Sequence, residues 1–147
     1  RLPRRASLVL ASIAGARREQ SWENFARALA AALAAVADDG VIVLCTDLRC
    51  LPGPALQLLA SLNDAPETLR EIRRARTPDA VSASLLVEAR ERTQVYLLSG
   101  LDGETVEDLG VGHISSEDEV EHLCQQFDSC LLLADADRAG GAVAEEL

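Results

Sequence analysis

The chain has 147 residues, 48% hydrophobic and 26% charged, and carries a formal net charge of −10 with only 3% aromatic residues. That length suits one ordinary domain, able to bury about two-thirds of its unfolded surface without disulfide or metal staples. The negative balance opposes phosphate backbones and the few rings offer little stacking surface, so nucleic acid is not an expected partner. The longest apolar run, Ala28 to Ala37, falls well short of the ~20 residues that span a bilayer, so no membrane is expected either.

Two absences narrow the chemistry. All fourteen cations are arginine, so a mechanism that needs a lysine must take it from another domain. There is no methionine and the first residue is Arg1, which reads as a piece of a longer, cytoplasmic protein with no signal peptide. Of the four cysteines, Cys45 and Cys130 sit in apolar runs and read as small buried hydrophobes. Their spacing matches no zinc motif.

Residues 1–6 read as a linker, followed by a central strand over Ser7 to Ile13, apolar on both faces. Ser21 is the expected N-cap of a helix through about Ala37, with Trp22, Phe25, Leu29 and Leu33 on its inner face. Gly40 is expected to end that helix and open a second buried strand, Val41 to Cys45, giving a right-handed βαβ unit. After a Pro-Gly-Pro loop the pattern predicts helices over Ala55 to Leu62, Pro66 to Arg76, and one running to Arg92 with Pro78 in its first turn. Gln94 to Ser99 is a third strand, Leu101 to Leu109 and Ser116 to Phe127 are short helices with His113 in the turn between them, and Cys130 to Ala134 is a fourth strand. Residues 139–147 read as a frayed tail.

This alternation predicts a single three-layer α/β domain, Rossmann-like and doubly wound, with about four mainly parallel strands flanked by helices. Ligands in such folds gather at the carboxyl ends of the strands, here Ser12, Gly15, Asp47, Ser99, Asp102, Asp135 and Asp137. The four acids resemble a magnesium constellation, but loop and capping roles account for them, and no lysine stands by for a phosphate. The turn after the first strand, Ala14 to Glu19, lacks a dinucleotide fingerprint. His113 and His122 have no nucleophile at a recognisable spacing.

The most informative segment is Gln20 to Arg27. At 100° per residue, Gln20, Glu23, Asn24 and Arg27 fall together opposite the apolar face. An exposed helix face with a Glu23–Arg27 pair explains the pattern; so does one wall of a binding cleft.

The segments LVLASIAGARREQSWENFARALAAA, GVIVLCTDL and RTQVYLLSGLDGETVEDLGV, in that order and spacing, resemble the C-terminal domain of the lactate racemase family, the nickel-pincer-cofactor racemases and epimerases. The likeness runs from about Ser7 to Ala136 and rests on no single diagnostic motif. It implies a substrate cleft shared with an N-terminal catalytic domain, which would hold the nickel-pincer nucleotide, leaving this chain with no cofactor and no catalytic residue of its own. In that family the first helix offers a glutamine and, three residues later, a lysine to the substrate; those positions match Asn24 and Arg27. The resemblance therefore implies substrate-binding roles for Arg27 and Asn24, with a small 2-hydroxy acid as substrate of the parent racemase or epimerase, and the outward polar cluster adds neighbouring Glu23 to the expected substrate-binding residues. Arginine stands where the family has lysine, and Thr77-Pro78-Asp79-Ala80 stands where it tends to have glycine-histidine-lysine. The competing expectations are a non-enzymatic α/β interaction module and a family member that has lost its cofactor.

Overall fold

The computed structural model describes residues 5–15, 20–61, 64–137 and 144–146. Five parallel strands form the sheet: β1 (Ala6–Ser12), β2 (Val36–Cys45), β3 (Gln94–Leu98), β4 (Gly112–Ile114) and β5 (Cys130–Leu133). A short β6 (Ala144–Glu146) pairs antiparallel with β5, and the strand order is β4-β3-β2-β1-β5-β6. The fold class expected from the sequence holds, with one parallel strand more than the four expected: His113 lies in β4, not in a turn. Of the expected tail, residues 144–146 form β6, and the rest lies outside the described residues.

Chain order explains how the layers are filled. From β1 the chain moves steadily one way through β2, β3 and β4, so right-handed crossovers put every intervening helix on one face. These are α1 (Trp22–Ala35), α2 (Pro54–Ser61), α3 (Ala65–Ala75), α4 (Ala80–Arg92) and α5 (Gly103–Asp108). The chain then reverses to place β5 beyond β1, and the same handedness carries α6 (Glu117–Cys124) across the opposite face. Strand alternation does the rest: Val9, Ala11, Ile42, Leu44, Val95, Leu97, Leu131 and Leu133 enter the large core under α1 to α5. Leu8, Val41, Val43, Ile114 and Cys130 form a smaller core with Val120 of α6.

Helix α1 is fixed on three sides. Phe25 and Leu29 are fully buried, each contributing about 1.5–3 kcal/mol of apolar burial. Trp22 meets Phe25 edge-on with ring centroids 5.0 Å apart, its Nε1 donates to the Cys50 carbonyl at 2.9 Å, and Ser82 Oγ of α4 donates to the Trp22 carbonyl at 3.0 Å. The helix ends earlier than the pattern suggested, at Ala35, because Val36 turns to extended backbone and starts β2. Gly40 lies inside β2, where the register with β1 jumps between Ala6 and Leu8; a side chain there would press on the Ser7 carbonyl, 2.9 Å from its Cβ.

Thr77 to Ala80 has a structural occupation. Pro78 precedes α4 instead of lying in its first turn, and Asp79 is the N-cap. The Asp79 carboxylate reaches across to the start of α2, accepting from the backbone N–H groups of Leu56 (2.9 Å) and Ala55 (3.2 Å) and from Thr77 Oγ1 (2.7 Å). Burial opposes its ionisation, but these hydrogen bonds outweigh that effect and hold its pKa below the ordinary carboxylate range. A carboxyl group with a depressed folded pKa contributes stability above its unfolded pKa and loses it as pH falls through the folded value. We therefore expect Asp79→Ala to lower unfolding free energy by about 1 kcal/mol at pH 7, measured by urea titration. The difference from the parent should shrink as pH falls below about 4.

Candidate functional site at the carboxyl edge of the sheet

The carboxyl edge is organised by one side chain. Gln20 is 5% exposed; its Nε2 donates to the Ile13 carbonyl at the end of β1 (3.0 Å), and its Oε1 accepts from the Asp47 N–H just beyond β2 (2.9 Å). The sequence pattern places Gln20 with the outward polar cluster, and the structure corrects this. Ser21 is the N-cap, with its hydroxyl accepting from the Asn24 N–H at 3.1 Å, so Gln20 precedes the helix and helical angular spacing does not govern it. Both ends of its amide are consumed in joining β1 to β2.

The remaining three residues lie where expected, on the outer face of the first two turns of α1. Glu23 and Arg27 are exposed and Asn24 is half-buried. Arg27 Nη1 donates to Asn24 Oδ1 at 3.1 Å. The ion pairs among the described residues are Arg49–Asp47, Arg74–Glu71 and Arg92–Asp38, so Arg27 turns to Asn24 and not to Glu23. The outcome is a guanidinium braced by a neutral amide on a helix that is itself tied to β1, β2 and α4. An arginine so placed keeps further N–H donors for a planar anion such as a carboxylate.

The four strand-end acids do not converge. Asp47 pairs with Arg49 at 3.2 Å. Asp102 is the N-cap of α5; its hydrogen bonds with Thr105, helped by nearby His113, hold its pKa low. Ser99 Oγ accepts from the Leu101 N–H. Asp135 and Asp137 come after β5 on the far side of β1, where Asp137 is 7% exposed and its Oδ1 has no hydrogen-bond partner. Residues 16–19 of the loop after β1 lie outside the described residues.

Away from this edge, both histidines line one open cavity of about 350 Å³ between β4 and α6, together with Tyr96, Asp118 and Glu119. Sequence spacing leaves them isolated; only the strand character of residues 112–114 brings them together. Burial is the main cause that raises the Cys45 thiol to about 11 and Cys130 to about 12, with Cys124 adding to both. Neither is a ready nucleophile at neutral pH.

The fold and edge define a doubly wound α/β domain with one braced cation on its first helix. No protein-family model and no curated protein sequence matches the chain. Among solved structures it is similar to the lactate racemase apoprotein from Thermoanaerobacterium thermosaccharolyticum, with a TM-score of 0.69 and 19% identity over 84% of this chain. The match covers 31% of that protein, so the chain spans about a third of its length. At this identity the likeness concerns the fold.

The Gln20 bridge has a direct test. Gln20→Ala leaves the Ile13 carbonyl and the Asp47 N–H unpaired, and we expect a loss of about 1–3 kcal/mol in unfolding free energy by urea titration. The amide protons of residues 46–48 should exchange faster in the same variant.

Proposed function

We propose that this chain is the cleft-forming domain of a lactate-racemase-like protein. In that role it grips the carboxylate of a small 2-hydroxy acid during racemisation or epimerisation in the parent. The observation that carries the reading is the Arg27–Asn24 pair on the first helix of a fold shared with a lactate racemase. Arg27 binds the substrate carboxylate through its free N–H groups. Asn24 orients the guanidinium through Oδ1, and Glu23, exposed beside them, limits the site to substrates whose charge Arg27 can neutralise.

The nickel-pincer nucleotide implied by the resemblance does not fit the donors of this chain. There is no lysine to tether it, and among the described residues no three His, Cys, Asp or Glu side chains are grouped to hold a metal ion. The proposal therefore assigns the cofactor and bond-breaking chemistry to an N-terminal companion domain, and to this chain only binding and orientation. Among the described residues no helix is long and apolar enough to cross a membrane, and the four cysteines are free thiols, which supports a cytoplasmic, reducing setting.

In the intact parent protein, Arg27→Ala should lower kcat/KM for the 2-hydroxy acid by about 100-fold, the scale of a lost charge-assisted contact, and Arg27→Lys should recover part of it. Steady-state kinetics read both. An unchanged kcat/KM in Arg27→Ala means that the carboxylate is held elsewhere. The 147-residue chain alone should neither bind nickel nor racemise lactate.

A further inference from the structure

Helix α4 carries apolar residues on two opposite sides, and the fold covers only one of them. Ala83, Leu86 and Val87 are buried where α4 packs against α1 and the sheet. On the other side Val81 is 74% exposed and Leu85 is half-buried, at the i,i+4 spacing that puts both in one stripe. Helix α3 runs beside that stripe, packed mainly on α4 and α2, and its Leu69 is half-buried too. Between the two helices lies an open groove of about 480 Å³, with Leu69, Ile72, Val81 and Leu85 as its apolar lining. A helix that is apolar all round is normally covered all round. An uncovered apolar groove with a polar rim marks a contact surface.

The rim carries one charge of each sign. Arg73 stands in the last turn of α3, beside the turn that leads into α4, and Glu88 stands on α4 about 12 Å from its start. Both are exposed, and among the described residues neither joins an ion pair, with the other or with any third group. A net charge of −10 sets copies of the chain against each other. Helix α3, with Arg70, Arg73 and Arg74, offers cations that offset it on this side. We propose that the α3–α4 groove is the interface between two copies of this chain, related by a two-fold axis that sets Arg73 of each against Glu88 of the other. A two-fold contact makes every pairing twice, so a groove positive at one end and negative at the other complements a copy of itself laid antiparallel. The stripe between the charges, Val81 and Leu85, is then covered by its own counterpart. The dimer does not depend on the racemase reading of Arg27.

Sedimentation equilibrium of the whole 147-residue chain reads the association. A contact made by two helices is at the small end of specific interfaces, so a dimer with Kd on the order of 10–100 µM is expected. Glu88→Arg and Arg73→Glu should each weaken it about tenfold or more by setting like charges face to face, and the double variant should recover most of the loss. Val81→Asp should give a monomer with the parent's far-UV circular dichroism, since Val81 is exposed. Glu121→Arg makes the same charge change on α6, across the sheet, and should not weaken the dimer. A chain that stays monomeric up to about 1 mM overturns the proposal and leaves the groove to another occupant, a companion domain or a small apolar ligand. So does a dimer that Glu88→Arg and Val81→Asp leave intact, or a double variant no stronger than the single ones. Growth beyond a dimer would contradict the two-fold closure.

Discussion

The Gln20 amide joins the ends of β1 and β2 immediately before α1 begins, and the geometry of the carboxyl edge depends on that bridge. A parallel pair has no hairpin to fix its ends; its strands are tied only by the ladder and by contacts among the loops at either end. Here the residue before the Ser21 cap spans both strands, so the helix starts at a set height above the sheet. Trp22 and Ser82 then set its rotation against the Cys50 loop and α4. Arg27, little more than a turn further on, inherits that placement. A long, exposed side chain thereby gains a defined base without being buried.

The sheet divides the molecule unequally. Five helices cover one face, and only α6, eight residues long, covers the other among the described residues. This asymmetry comes from a single reversal of strand order at β1.

Much of the fold is legible in the sequence because β1, the Val41 to Cys45 half of β2, β3 and β5 are largely apolar runs separated by helical stretches, the pattern of buried parallel strands. Strand β4 escapes because three residues, Gly112 to Ile114, are too few to show a period, and it forms only where Tyr96 and its neighbours offer a ladder. For the same reason the shared cavity of His113 and His122 is invisible in the sequence. Gln20 is misplaced by a helical wheel extended one residue beyond the cap. The role of Asp79 is hidden because its partners lie 23 and 24 residues away, at the start of another helix. Arg27 and Asn24 are legible since they sit within a regular helix, where 100° spacing applies.

The role proposed for Arg27 is to hold a substrate carboxylate in a cleft built with a companion domain. A crystal structure of the intact parent with a 2-hydroxy acid bound tests it most directly. The carboxylate is expected on the Arg27 fork, at about 2.7–2.9 Å, with Asn24 still bracing the guanidinium. A carboxylate bound wholly by other residues, with Arg27 turned to solvent, would contradict it.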